Sequence, residues 1–192
     1  ADLDDKLLDA TGILFCEGYV WDSPTARAAF LEAAARVRSG GGRIGFSLSD
    51  TFCVERHKQD FLNLFAHDID ILLANFAEAQ TLLNVTDMAD ITAAMQKAGV
   101  DGAITCGGDG AVIVHRGEAV RVDAYAVETV TDLTGAGDQF AAGYLCGVAR
   151  GRDATTCGRM GALAAAEVIQ HFGPRPEKDL RPIFAEYGFE TA

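Results

Sequence analysis

The sequence is poor in basic residues: 16 lysines and arginines stand against 28 aspartates and glutamates, giving a formal net charge of −12. A chain of this charge repels phosphate backbones and anionic lipid surfaces, so we expect neither a nucleic-acid partner nor a membrane partner. The net charge does not exclude a small phosphorylated ligand, because local backbone amides can bind a phosphate despite the overall negative potential of the protein.

The sequence also lacks metal-binding and disulfide patterns. Its five cysteines contain no C-x-x-C pair and its four histidines show no metal-ligand spacing, which favours buried reduced thiols and surface or capping histidines over disulfides or a zinc site. No run approaches the roughly 20 apolar residues of a membrane span. No secretory signal pattern is visible, so we expect a cytoplasmic location.

What the sequence does contain is an alternation of strand and helix patterns. Short apolar runs predict strands at 12–20, 43–49, 70–75 and 102–107, and amphipathic runs predict helices between them, the first starting at Ser23-Pro24 and ending at Gly40. Such alternation predicts an α/β fold, a mostly parallel sheet with helices on both faces. Two extended runs around Arg116-Gly117 predict an antiparallel hairpin at one edge, and helices return after residue 137. No linker or repeat interrupts 1–192, which predicts a single domain.

The segment TDLTGAGDQFAAGYLCG (131–147) sets glycines and an acid at the start of a helix. Gly135 and Gly137 allow positive φ and close approach, and Ala136 adds little bulk, so first-turn amides can form an anion hole. Asp138 has two interpretations. It stabilises the helix by about 0.3–1 kcal/mol through its interaction with the helix dipole, or it accepts a proton from an attacking hydroxyl.

This segment resembles the D-x-T-G-A-G-D signature of the ribokinase/adenosine-kinase-like (PfkB) carbohydrate kinases. The resemblance implies that the amides of Gly135, Ala136 and Gly137 stabilise the γ-phosphoryl group of ATP during transfer. It implies that Asp138 is the catalytic base for the acceptor hydroxyl.

Two further motifs follow the family order. Asn75 and Glu78 resemble its N-x-x-E motif, which implies a role around Mg²⁺ and its water shell; the same spacing is also that of a helix capping box. Thr105, Gly107 and Gly110 resemble its T-x-G-x-x-G nucleotide loop, although a glycine-rich turn into the hairpin has the same composition.

The resemblance also implies cation and adenine contacts. Asp132 and the backbone at Thr134 fall where relatives bind a monovalent cation, here K⁺. The segment VIQHFGPRPE resembles the second cation loop, which involves Val168, His171, Gly173 and Glu177. Adenine would lie near Gly161 and Ala165.

The resemblance has two departures. Gln139 follows the acid where small or apolar residues are commoner. The N-terminal acceptor-binding region of relatives, with its first glycine signature and β-strand lid, has no counterpart here, so 1–192 is expected to be the C-terminal nucleotide-binding portion. A homodimer through that missing lid is compatible with the family.

The expected function is transfer of the γ-phosphoryl group of ATP to a hydroxymethyl group of a sugar or nucleoside, by an enzyme in the intact polypeptide. A non-catalytic nucleotide-binding or interaction module is the alternative, above all for an isolated fragment. The run GGDG (107–110) also resembles NAD and diacylglycerol kinases, but that leaves 132–138 unexplained. A Rossmann dehydrogenase needs G-x-G-x-x-G after an early strand and a later acid, and neither is present.

Overall fold

The computed structural model describes residues 3–189, with strands and helices in alternation. The strands are β1 (Ile13–Glu17), β2 (Arg43–Ser47), β3 (Ile71–Asn75), β4 (Asp101–Thr105), β5 (Ala111–His115) and β6 (Glu118–Val122). The α-helices are α1 (Asp5–Asp9), α2 (Pro24–Ser39), α3 (Thr51–His67), α4 (Phe76–Leu83), α5 (Met88–Ala98), α6 (Ala136–Ala149), α7 (Ala154–Val168) and α8 (Leu180–Glu186).

The six strands form one sheet in the order β1-β2-β3-β4-β5-β6. β1, β2 and β3 pair in parallel, with Phe15 opposite Gly45 and Phe46 opposite Leu72. Four consecutive residues of β3, 71–74, are buried, and alternate residues of a strand point to opposite faces. Both faces of this strand are therefore covered, as parallel sheets require. The predicted α/β fold is confirmed.

The edge hairpin is also confirmed. β5 and β6 are joined by Arg116 and Gly117, whose φ angles are 50° and 80°. Positive φ at both positions is the geometry of a two-residue hairpin turn. The strand ends at Val122, short of the predicted 127, and residues 123–127 have no regular structure.

The chain divides into two compact units by its internal contacts. The first comprises the residues up to Gly102 together with Val114–Glu118. The second comprises Ala103–Ile113 together with the residues from Ala119 onward.

An aromatic cluster forms part of the core of the first unit. The Trp21 ring lies 5.3 Å from that of Phe46 and 5.7 Å from that of Phe61, both edge to face. Trp21 sits in a 3₁₀ turn, Gly18–Asp22. The predicted strand 12–20 therefore ends early, at Glu17, because the turn carries the indole into this cluster.

Close contact between α6 and α7 organises the second unit. A Cβ at Gly143 would lie 2.4 Å from the Met160 carbonyl oxygen, and one at Gly147 would lie 2.9 Å from the Cys157 sulfur. These glycines let the two helices touch along their backbones. Met160, Leu163 and Phe184 continue the core towards α8.

All but one of the described α-helices have a side-chain N-cap. Of the eight α-helices within residues 3–189, seven have a cap side chain that accepts a backbone N–H, namely Asp4, Ser23, Asp50, Asn75, Asp87, Asp153 and Asp179. The exception is α6, whose cap residue is Gly135.

The cysteine prediction is largely confirmed, whereas the predicted surface position of the histidines is clear only for His67. All five cysteines are free, three of them buried and two half-buried. His57, His115 and His171 are half-buried and each faces a carboxylate, whereas His67 is exposed in the last turn of α3. In the part of the chain that the structure describes, no helix is long and apolar enough to cross a membrane.

Candidate functional site

The start of α6 can only be built with glycine at position 135. Gly135 has φ 79°, and a Cβ there would lie 2.6 Å from the Pro174 Cβ. The left-handed backbone turns the chain from the extended segment before it into the helix. Pro174 closes over this turn and also accepts a hydrogen bond of 3.1 Å from the Gln139 side chain.

The first turn of α6 leaves backbone donors open. The Ala136 amide donates to the Leu133 carbonyl at 3.1 Å. The amides of Gly135, Gly137 and Asp138 donate no hydrogen bond to any residue within 3–189. Unsatisfied amides at the positive end of a helix dipole attract an anion. The open donors thus differ by one residue from the predicted set, which included Ala136.

Asp138 lies in this first turn and is exposed. Its carboxylate makes no hydrogen bond or ion pair with a described residue, whereas most acids at helix starts in this chain serve as caps. A free acid beside open amides is compatible with both interpretations of Asp138 given above.

A cavity of about 530 Å³ opens beside the helix start, within the second unit. Ala136 and Gly137 line it, as do Thr105, Gly107 and Gly110 of the predicted nucleotide loop. Ala165 of α7 lies in the same wall, and much of the remaining lining is apolar, with Val130, Phe140 and Ile169 among it. The volume falls in the range of sites that bury a small organic ligand.

The glycine-rich loop after β4 is tightly folded. The Cys106 amide donates to the Gly110 carbonyl at 2.7 Å, and the Gly110 amide donates to the Gly107 carbonyl at 3.1 Å. Gly110 has φ 84°, and a Cβ there would lie 2.0 Å from the Val122 carbonyl oxygen. The loop therefore packs directly on the backbone that follows β6.

Gly161 lies outside the cavity lining. It is buried in α7, where a Cβ would lie 2.8 Å from the Phe140 carbonyl oxygen on α6. Its place in the structure is a contact between helices, while Ala165, one turn further on, lines the cavity.

The structure brings together the two segments predicted to bind a monovalent cation. The Thr131 amide donates to the Ile169 carbonyl at 2.8 Å, and the Asp132 carboxylate accepts from the amides of Thr134 at 2.9 Å and Gly173 at 3.0 Å. These amides lower the pKa of Asp132, that of Gly173 most. Val168 is buried at the end of α7.

Glu167 holds the rest of the second segment and was missed by the sequence analysis. It is buried in α7, and its Oε1 accepts from the amides of Glu177 at 3.1 Å and Lys178 at 3.0 Å. Its Oε2 lies 3.4 Å from Nε2 of His171. Desolvation lowers the pKa of His171, but the hydrogen bond to Glu167 and the nearby carboxylates raise it above its ordinary value overall. The only sequence signal was an acid within an apolar helix face.

Replacing Glu167 by glutamine is expected to destabilise the protein by about 1.5–3 kcal/mol, because charge-assisted hydrogen bonds to two amides are weakened at a buried site. Chemical denaturation measures the change. Glu186→Gln is the matched control, since that side chain is exposed and forms no ion pair with a described residue, and such substitutions usually stay within about 0.5 kcal/mol. Equal stability of the two variants would show that Glu167 does not hold the loop.

Asn75 and Glu78 belong to the first unit and form a capping box at the start of α4. Asn75 Oδ1 accepts from the Glu78 amide at 2.9 Å, and Glu78 Oε2 accepts from the Asn75 amide at 2.9 Å. Burial raises the pKa of Glu78, partly offset by the Asn75 amide. The structure therefore contains the capping box that this spacing indicated. The role of Asn75 and Glu78 around Mg²⁺ remains a prediction.

A tyrosine–aspartate pair lies at the carboxyl ends of β1 and β2 in the same unit. The Tyr19 hydroxyl donates to Asp50 Oδ2 at 2.6 Å, and this bond raises the pKa of Tyr19 to about 12. Since the folded value lies above the ordinary 10.0, the pair's contribution to stability is complete below pH 10 and is lost as pH rises towards 12.

The difference in phenolate absorbance between wild type and Tyr19→Phe should therefore titrate near pH 12. Asp50→Asn keeps a capping oxygen but removes the charge, and should return the titration of Tyr19 towards its ordinary pKa. A wild-type difference curve centred at the ordinary value would show that the bond does not form.

Within residues 3–189 no group of three or more histidine, cysteine, aspartate or glutamate side chains is arranged to hold a metal ion. The segments predicted to bind cations would do so largely through backbone oxygens and water. A site of that kind does not require a cluster of side-chain ligands.

Comparison with known proteins identifies the family of this α/β chain. Residues 2–179 match the model of the pfkB family of carbohydrate kinases, and the chain belongs to that family. It is similar to a probable sugar kinase protein from Rhizobium etli CFN 42, with 36% identity and a TM-score of 0.94 over 98% of this chain and 57% of that one.

Two further similar proteins are named as kinases of nucleosides. The adenosine kinase structure from Sinorhizobium meliloti is 37% identical, with a TM-score of 0.93 over 97% of this chain and 57% of that one. The cytidine kinase of Thermococcus kodakarensis is 30% identical over 139 residues, which are 71% of this chain and 50% of the relative. The chain thus spans about half the length of the curated relatives it matches.

Proposed function

We propose that the intact protein transfers the γ-phosphoryl group of ATP to a hydroxymethyl group of a sugar or nucleoside. The observation that carries this proposal is the start of α6, where open amides and a free carboxylate adjoin a cavity large enough for a nucleotide. Membership of the pfkB family supports the same reaction class.

In the proposed reaction the acceptor hydroxyl oxygen forms a bond to the γ-phosphorus as the bond from that phosphorus to the β,γ-bridging oxygen breaks. ADP leaves with the electron pair of the broken bond. Asp138 takes the hydroxyl proton, and the open amides of Gly135 and Gly137 donate to the oxygens of the group in transfer. Donors fixed before the reaction stabilise such charge without reorganising.

The cavity chemistry fits the donor nucleotide. Its small and apolar residues, including Ala162 and Ala165, leave flat surfaces for a base, while the glycine loop allows backbone to approach a ribose or phosphate. Mg²⁺, when bound, would neutralise phosphate charge; Glu78 would act on it through water. K⁺ would be held by the segments around Asp132 and Gly173.

The names of similar proteins support this class of acceptor. One is a probable sugar kinase, and two are named adenosine kinase and cytidine kinase. Both acceptor classes present a primary alcohol, which is the group that a carboxylate base beside a phosphoryl site can activate.

A coupled ADP-release assay on the intact protein with ATP and Mg²⁺ tests the function. Adenosine, cytidine, ribose and 2-dehydro-3-deoxygluconate are the acceptors, and phosphorus NMR identifies the product. We expect acceptor-dependent ADP release and a phosphomonoester product with at least one of them. ATP binding without transfer to any of these alcohols would favour the non-catalytic module.

A further inference from the structure

A second cavity of about 370 Å³ lies in the second unit, beside the first. The two cavities share Ala124 and Tyr125 as a common wall. The first cavity is lined mainly by apolar residues. The second has a polar lining, supplied by Arg121, Asp123, Tyr125, Thr155 and Arg159.

Two arginines of this cavity have no acidic partner. Neither Arg121 nor Arg159 forms an ion pair with any carboxylate in the described part of the chain, although acids outnumber basic residues in this protein. Five other arginines, Arg27, Arg36, Arg43, Arg56 and Arg181, each lie within 3.1 Å of an aspartate oxygen. Arg116, Arg150 and Arg175 also form no ion pair with a described residue, so the distinguishing feature of Arg121 and Arg159 is that both line the same cavity.

Both guanidinium groups are held by neutral contacts. Arg121 Nη2 donates to the Asp109 carbonyl at 2.9 Å. Arg159 Nε donates to the Tyr125 hydroxyl oxygen at 3.3 Å, and its Cζ lies 5.0 Å from the centre of the Phe189 ring. These contacts use one N–H of each group and leave the others for a ligand. Both side chains are exposed, and each contact limits the rotamers of the guanidinium before a ligand binds, which lowers the entropy lost on binding.

The remaining groups indicate the ligand class. Guanidinium N–H groups pair in a bidentate manner with phosphate oxygens, and the Thr155 hydroxyl adds a donor. Asp123 would repel a bare anion, but it accepts hydrogen bonds from hydroxyl groups. A cavity of this volume also exceeds what one inorganic phosphate fills.

We propose that this cavity is a second binding site, for the phosphate monoester of a small hydroxylated molecule such as a sugar. Arg121 and Arg159 bind the phosphate, and Asp123 binds a hydroxyl group. The site uses different residues from the α6 start and does not depend on the phosphotransfer reaction.

Isothermal titration of the intact, nucleotide-free protein with ribose 5-phosphate tests the proposal. Arg121→Gln and Arg159→Gln should each weaken binding about tenfold or more, which corresponds to about 1.4 kcal/mol. Arg116→Gln, at the exposed hairpin turn outside both cavities, is the matched control and should bind like wild type. Inorganic phosphate should bind more weakly than ribose 5-phosphate, and uncharged ribose should not compete.

Wild-type affinity in both arginine variants would overturn the proposal, because the ligand would then lie at the α6 amides or elsewhere. Equal affinity for inorganic phosphate and ribose 5-phosphate would overturn the ligand class. Since Arg159 also packs on Phe189, thermal unfolding of each variant is measured first; if Arg159→Gln does not fold, Arg121→Gln and Thr155→Val carry the test.

Discussion

Replacing Asp138 by asparagine is expected to lower kcat by about 10²–10⁴-fold, the usual contribution of a positioned general base. Asparagine has the size of aspartate but cannot take a proton from the acceptor alcohol. The open amides of α6 remain, and the like charge near the phosphates is removed. Nucleotide affinity should therefore be unchanged or slightly stronger. Steady-state kinetics and titration calorimetry with ADP measure the two effects separately.

Glu128→Gln is the matched control for this variant. Glu128 is an exposed acid of the same unit, outside the cavity lining and without a described hydrogen bond. Its removal changes the net charge by the same amount and should leave kcat near wild type. Turnover of Asp138→Asn within a factor of two or three of wild type would assign Asp138 to the helix dipole alone.

Replacing Gly110 by alanine should destabilise the second unit by roughly 2–6 kcal/mol, from a strained backbone and overpacking together. At φ 84° an alanine is already strained, and its Cβ would lie 2.0 Å from the Val122 carbonyl and 2.8 Å from the Ala124 amide nitrogen. Both neighbours are backbone, so the loop itself must move, and nucleotide binding should weaken with it. Denaturant unfolding and ADP titration measure the two changes.

Gly108→Ala provides the comparison within the same loop. Gly108 is exposed, has no positive φ, and a Cβ there would meet no atom within 4 Å. We expect little change in stability, and because Gly108 itself lines the cavity the comparison uses denaturant unfolding alone. If the two alanine variants behaved alike, the close packing of this loop on residues 122–124 could not be what fixes its shape.

The fold could largely be predicted because its signals are local. Ser23-Pro24 and Gly40 marked the two ends of α2, and Arg116-Gly117 marked the hairpin. Strand ends were less accurate. The 3₁₀ turn after β1 depends on where Trp21 packs, and that contact with Phe46 and Phe61 is formed by residues distant in the sequence.

Within the candidate site, the sequence is most informative where a backbone conformation demands glycine. Gly135 and Gly110 are required by their φ angles and close contacts, and glycine is visible in a sequence. Glu167 was missed because its partners are backbone amides ten and eleven residues away, which leave no sequence pattern. The unpaired state of Arg121 and Arg159 was likewise invisible, since it depends on which acids lie near them in space.

Gly135 at the head of α6 also limits how far this protein can be made heat-resistant. A serine or asparagine at a helix start usually adds about 0.5–2 kcal/mol, and consensus-type engineering would try it here first. Any side chain would collide with Pro174, and a capping oxygen would occupy amides that are open in this structure. Under the proposed function, stability and turnover therefore make opposite demands on position 135, and selection for thermostability should find its gains elsewhere.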